Sequence, residues 1–122
     1  MLRYGYCWMT DGRLTSAMMV SAFLRFADQD GGFAVVGFKG DPTSGAVLVQ
    51  LLEKGRFIGL FERLLDPSGQ YLWNRSVSQD IEIKEEISEY CSRRKARDPD
   101  LWLIELDVPN AERFIAQRLN IS

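Results

Sequence analysis

The sequence predicts a single α+β domain in which an antiparallel meander of about five strands carries three helices, in the order α-β-β-β-β-α-β-α. Three observations lead there. Apolar runs with helical spacing stand at the start, at residues 79–97 and at the end. Five β-rich runs lie between them, rich in Val, Ile, Leu and aromatics. The connections between consecutive runs are short and hold Gly or Pro, whereas parallel pairing needs long crossovers.

The first helix starts at Thr15 and Ser16, both able to cap, and runs to about Asp28, where Gly31 and Gly32 stop it. Its body, AMMVSAFLRFA, is apolar nearly all round, with Ser21, Arg25 and Asp28 as the single polar stripe. In so small a domain a second copy can cover the surplus face, which predicts a homo-oligomer, a homodimer in the simplest case. FAVVGFK (33–39) is the first strand and AVLVQLLE (46–53) the second, joined by GDPTSG. Lys54-Gly55 turns into RFIGLFERLL (56–65), and DPSG has type I turn chemistry before QYLWNRSV (70–77).

The helix over 79–97 places Ile83, Ile87, Tyr90, Cys91 and Arg94 on one face. Pro99 disfavours helical backbone at Asp98 and ends it. LWLIELDV (101–108) is the fifth strand, with Trp102, Ile104 and Leu106 on one side and Leu101, Leu103 and Glu105 on the other. Asn110 caps a last helix bearing Ala111, Phe114, Ile115 and Leu119. Residues 9–122 make the domain, and residues 1–8, aromatic and without periodicity, read as an N-terminal extension.

Composition bounds function. The 122 residues carry 15 basic and 17 acidic side chains, a net charge of -2, so no global field draws nucleic acid or an anionic membrane. Histidine is absent, which removes the usual general base and the commonest metal ligand. Cys7 and Cys91 are too few for a zinc site and read as reduced thiols, which suits a cytoplasmic protein. No stretch has the length of a signal peptide or a bilayer span. No cofactor is expected, and the chain reads as a non-enzymatic protein-binding or regulatory module.

The densest cluster of chemistry is RRKARDPDLW at 93–102, where Arg93, Arg94, Arg97, Asp98, Asp100 and Trp102 are the candidate site residues. As a basic patch, Arg93, Arg94, Lys95 and Arg97 would grip nucleic acid or another phosphate ligand. Dipole complementation accounts for the same charges, since bases belong at a helix C-terminus and acids such as Glu86 and Glu89 nearer its start. A structural corner, with Arg and Asp side chains tying helix end to fifth strand, is the favoured reading, and a ligand site the minority one. A metal-nuclease pattern fails on spacing: the strand offers Glu105-Leu106-Asp107 where an acid-x-Lys is needed. A carboxylate hydrolase ranks third. KGDPTSGA lacks phosphate-loop spacing and precedes a strand. Phe57, Phe61, Tyr71 and Trp73 read as the core face of adjacent strands rather than a base-stacking platform. Glu53, Glu62 and Asp66 have no partner assignable from sequence.

The string RRKARDPDLWLIELD, with GRLTSAMMVSAFLR, GGFAVVGFKGDPTSGAVLV and DPSGQYLW, resembles the bacterial domain of unknown function family 1491. The likeness runs from about Gly12 to Asp107 and is most specific at residues 97–102. It implies one compact cytoplasmic domain and brings no activity, cofactor or catalytic residue.

Overall fold

A computed structural model describes residues 15–65, 67–68, 71–77 and 84–121. The expected extension at 1–8, Asp66 and Gly69 of the DPSG turn, and the start of the second helix at 79–83 lie outside those residues. Helix α1 spans Ser16–Gln29, followed by β1 (Phe33–Phe38), β2 (Val47–Glu53), β3 (Arg56–Leu65) and β4 (Tyr71–Val77). Helix α2 (Lys84–Arg97), β5 (Trp102–Val108) and α3 (Ala111–Phe114) complete the order, and α3 runs on as a π turn over Ile115–Leu119. The α+β class and the element order match the sequence reading.

The sheet does not. It is mixed, in the order β1-β5-β2-β3-β4, rather than an antiparallel meander. Only β2, β3 and β4 follow one another as antiparallel neighbours. The last strand is inserted between the first two, antiparallel to β1 and parallel to β2, with Val47 beside Trp102 and Leu51 beside Leu106. The physical reason is burial. Leu101 and the first three residues of β5, Trp102, Leu103 and Ile104, are all buried, so the strand is apolar on both faces and is excluded from an edge. The loop at 39–46 looks like a hairpin connection in sequence, but it steps across a gap one strand wide.

Nor do the helices share one face, as a simple two-layer domain requires. On one side α1 and α3 pack Val20, Phe23, Ala27, Ala111 and Phe114 against Val47, Val49, Phe61, Trp102 and Ile104. On the other, Ile87 and Cys91 of α2 cover Leu48, Leu60, Leu101 and Leu103. The alternation of β2 and β5 supplies apolar residues to both sides, and it is this double supply that places a helix on each.

Local signals act as expected at several points. The Thr15 hydroxyl accepts a hydrogen bond from the Met18 amide at 3.2 Å. At the other end of α1, Gly31 has φ 89°, and the Gly32 amide donates to the Ala27 carbonyl. Lys54 and Gly55 both have positive φ, 51° and 85°, as a two-residue hairpin turn of the right twist demands. A register shift between Leu51 and Leu52, opposite Ile58, turns Phe57 to the α2 side while Phe61 stays in the α1 core. Phe61 is fully buried, and Trp73 meets Phe23 edge-on at 5.1 Å, so these two rings serve packing.

The apolar surplus of α1 is largely absorbed inside the chain. Phe26 lies under the Arg118 guanidinium at 4.4 Å, and Arg118 in turn pairs with Asp30 at 3.0 Å. Met18 is the one large apolar side chain of the helix that is exposed. Among the described residues, no helix is long and apolar enough to cross a membrane.

Candidate functional site

The segment 93–102 lies where the end of α2, the start of β5 and the loop 39–46 meet. Its six candidate residues go to different places. Arg94 points across α2 to β3, where its two terminal nitrogens donate to the two carboxylate oxygens of Glu62 at 3.0 and 2.7 Å. The Tyr90 hydroxyl accepts a further bond from Arg94 at 3.3 Å. The two charged side chains keep only 18% and 15% of their surface in water. This forked bond to Glu62 raises the Arg94 guanidinium still further above its ordinary value, so the pair is permanently charged on the basic side. Arg94 is therefore a pin between layers.

Arg93 and Arg97 stand exposed, with no hydrogen bond or ion pair among the described residues. Glu89 stands four residues before Arg93, a spacing that suits a helical ion pair, but none forms between them among the described residues. Lys95 behaves differently. Its ammonium donates to the carbonyls of Lys39, Pro99 and Leu101 at 3.1, 2.6 and 3.0 Å and lies 5.8 Å from the centre of the Phe38 ring. One side chain thus gathers the end of β1, the turn and the start of β5.

The turn itself is made locally. Asp98 Oδ1 accepts from the Asp100 amide at 3.2 Å, and the Leu101 amide donates to the Asp98 carbonyl at 3.0 Å. The Asp100 side chain is exposed, but its carbonyl accepts from the Asp41 amide at 3.0 Å. Trp102 is buried at 5% exposure and donates its indole N–H to the Asp41 carbonyl at 2.7 Å. Asp41 organises the facing loop: its carboxylate accepts from the amides of Ser44 and Thr43 at 2.8 and 3.1 Å and from the Ser44 hydroxyl at 3.3 Å. The Ser44 amide above all holds the Asp41 carboxyl below the usual carboxylate range, with burial opposing. Behind the loop, Ser16 at the start of α1 donates its buried hydroxyl to the Gly45 carbonyl, and the amides of Ser16 and Ala17 donate to the Thr43 and Pro42 carbonyls.

The corner has almost no free space. A Cβ on Gly40 or Gly45 would lie 2.1 or 2.0 Å from the Asp100 carbonyl oxygen. Helix end and strand are therefore joined chiefly by Lys95 and backbone hydrogen bonds, with Asp98 bonding locally and Arg97 in solvent. In the sequence Lys95 is one base among several, and Glu62 has no assignable partner because Arg94 lies 32 residues away.

Other described carboxylates are also engaged. Glu53 accepts from the Ala111 amide at 2.9 Å, and Asp107 accepts from the Gly55 amide at 2.9 Å. Among the described residues, no three of His, Cys, Asp and Glu gather as a metal site would require.

A second feature, not singled out by sequence, is the outer edge of β1. Among the described residues this strand has one neighbour, β5, and its other side is unpaired. Phe33, Val35 and Val36 are 63%, 52% and 41% exposed, and no residue from 33 to 38 is charged. The opposite edge, β4, also exposes Leu72, but it carries Asn74 and Arg75 to solvent. Charged side chains are the ordinary protection of a free edge, and β1 has none.

Comparison with known proteins gives a family. The DUF1491 family, described as protein of unknown function, matches residues 14–116. A crystal structure of a DUF1491 family protein from Caulobacter crescentus CB15 is 30% identical, with a TM-score of 0.72, over 83% of this chain and 94% of that one. An NMR structure of a DUF1491 family protein from the same organism is 31% identical, with a TM-score of 0.67, over 77% and 84% of the two chains. A solution structure of a protein from A. tumefaciens is 29% identical, with a TM-score of 0.69, over 80% and 88%. No curated protein matches the chain. With the family match and the shared fold both extending over most of its length, the chain belongs to the DUF1491 family.

Proposed function

We propose that this chain is a non-enzymatic protein-binding module that works as a homo-oligomer, its binding surface being the edge of β1. The observation that carries this reading is the uncharged strand, unpaired on its outer side among the described residues, with Phe33, Val35 and Val36 exposed. Main-chain groups along such an edge supply affinity by strand addition, and alternate side chains supply selectivity. The apolar first helix, which suggested self-association in the sequence, contributes little, because its surplus is covered by the chain itself. Sedimentation velocity across the micromolar range tests the proposal. The wild-type chain is expected to sediment faster as concentration rises, and Phe33→Ser is expected to remove that dependence. A strictly monomeric wild-type chain overturns the self-associating reading.

A second reading, phosphate or nucleic-acid binding, is favoured by one observation: Arg93 and Arg97 are exposed and unpaired among the described residues. With Arg94 and Lys95 engaged, two contacts remain, for which the log-log salt slope is about -1.4 to -1.8. Fluorescence anisotropy with labelled oligonucleotides at low salt checks it, and no complex there ends it.

A further inference from the structure

We infer that two copies of this chain join β1 to β1 in antiparallel register about a twofold axis through Val35, making one continuous sheet across the pair. The inference rests on the self-associating reading above and adds its geometry. In an antiparallel pair, directly opposed residues point to the same face. A twofold pairing of identical strands must therefore pass through a residue and not between two. In β1, the axis through Val35 sets Val35 against its own copy, Ala34 against the partner's Val36, and Phe33 against the partner's Gly37.

Each of these contacts suits what β1 exposes. Val35 and Val36 are the β-branched residues that cross-strand pairs favour. Phe33, the most exposed of the large apolar residues, meets the one position of the strand without a side chain. An aromatic ring laid over a glycine on the neighbouring strand is a recognised way to fill that gap. The Leu103 side chain already lies against Gly37, 3.2 Å from where a Cβ would stand. The partner's Phe33 would thus extend the apolar cluster of Leu103 and Phe38 across the pair.

The fit of Phe33 to Gly37 in this register favours a second copy as the occupant, and the absence of charge permits it. No residue of β1 is charged, so the strand meets itself without repulsion, and it presents no charge to select a foreign segment. The register shift between Val36 and Phe38 bends the strand away just beyond Gly37, which bounds the overlap at residues 33–37. So short a contact falls below roughly 1,200 Å² of buried surface, in the range of weak, transient interfaces.

The test uses charge exchange at Val35, which is half exposed and outside both cores. Val35→Lys and Val35→Glu are each expected to weaken self-association at least about tenfold, because like charges face across the axis. An equimolar mixture of the two is expected to regain association to within about threefold of wild type, since Lys then faces Glu. Circular dichroism melts confirm that each variant is folded, which matters for Val35→Glu because Glu105 stands opposite that position within the chain. Amide exchange supplies a readout free of mutation: β1 amides are expected to gain protection with concentration and β4 amides are not. A monomeric wild-type chain overturns this inference together with the self-associating reading. Wild-type self-association that both variants retain leaves self-association standing and overturns β1 as its surface. Dissociation of both variants without recovery in the mixture overturns the axis through Val35.

Discussion

The Arg94–Glu62 pair gives the sharpest test of how the layers are held. Glu62→Gln keeps the length of the side chain and most of its hydrogen-bonding capacity but deletes its charge. The Arg94 guanidinium, with 18% of its surface in water, would then have no counter-ion. Breaking a fully buried pair in this way costs about 3–5 kcal/mol, and the residual exposure lowers the expected loss here to about 2–3 kcal/mol. For a domain of this size that loss corresponds to a fall in Tm of roughly 8–12 °C. Urea unfolding measures it, with an unchanged m-value showing that stability and not the denatured state has moved. The cost is expected to persist at high salt, because water and ions reach so little of the pair. The double variant Arg94→Met with Glu62→Leu is expected to lie within about 1 kcal/mol of wild type, since apolar replacement removes the desolvation cost along with the attraction. A single-variant loss below about 0.5 kcal/mol, or a double variant as unstable as the single, refutes the assignment of this pair as a pin.

Gly45→Ala is expected to cost on the order of 2–4 kcal/mol in the same assay, because the added carbon lands on a backbone oxygen that cannot rotate away. A loss under 1 kcal/mol would show that the corner is looser than its geometry implies. Asp41 carries a pH signature: its carboxyl is held down in the folded state, so its contribution is present above the ordinary carboxylate range and is lost as pH falls through the lowered value. Asp41→Asn should flatten the acid limb of the stability profile, and a carbon-detected NMR titration should place Asp41 below the ordinary carboxylate range. Burial, opposed by the nearby Arg94 charge, pushes the Cys91 thiol up. Its contribution is complete below the ordinary thiol range and declines as pH rises through the raised value, so alkylation of native Cys91 should be slow and should follow unfolding.

What could be read from sequence was whatever neighbours in the chain decide. The limits of α1 were legible because Thr15 and the Gly31-Gly32 pair are local signals, and so was the turn at Lys54-Gly55. The place of β5 was not, because short connections suggest that consecutive strands touch, while β1 and β2 leave room for a strand that arrives later. One clue was present: Leu101, Trp102, Leu103 and Ile104 form an unbroken apolar run, the mark of a strand covered on both sides. The face taken by α2 followed from β2 and β5 supplying leucines to the second side, which helical periodicity cannot reveal. At the corner, the sequence brought Arg97, Asp98 and Asp100 together by proximity, whereas the ties run through Lys95, Asp41 and main-chain carbonyls. Arg94 and Glu62 meet through tertiary packing, so neither identifies the other in sequence. The edge of β1 was hidden for the same reason, since FAVVGF reads as an interior strand until its single neighbour is known.

The central position of β5 also sets a timetable. Phe33 pairs with Asp107 and Phe38 with Leu103, so β1 has no partner in the sheet until the chain has been made to that point. During synthesis the hairpins of β2, β3 and β4 have their neighbours early and can form first. Meanwhile β1 and the open side of β2 wait as two unpaired apolar edges, the state most prone to misassociation. A chain shortened before Trp102 is therefore expected to hold a three-stranded fragment and one orphan strand.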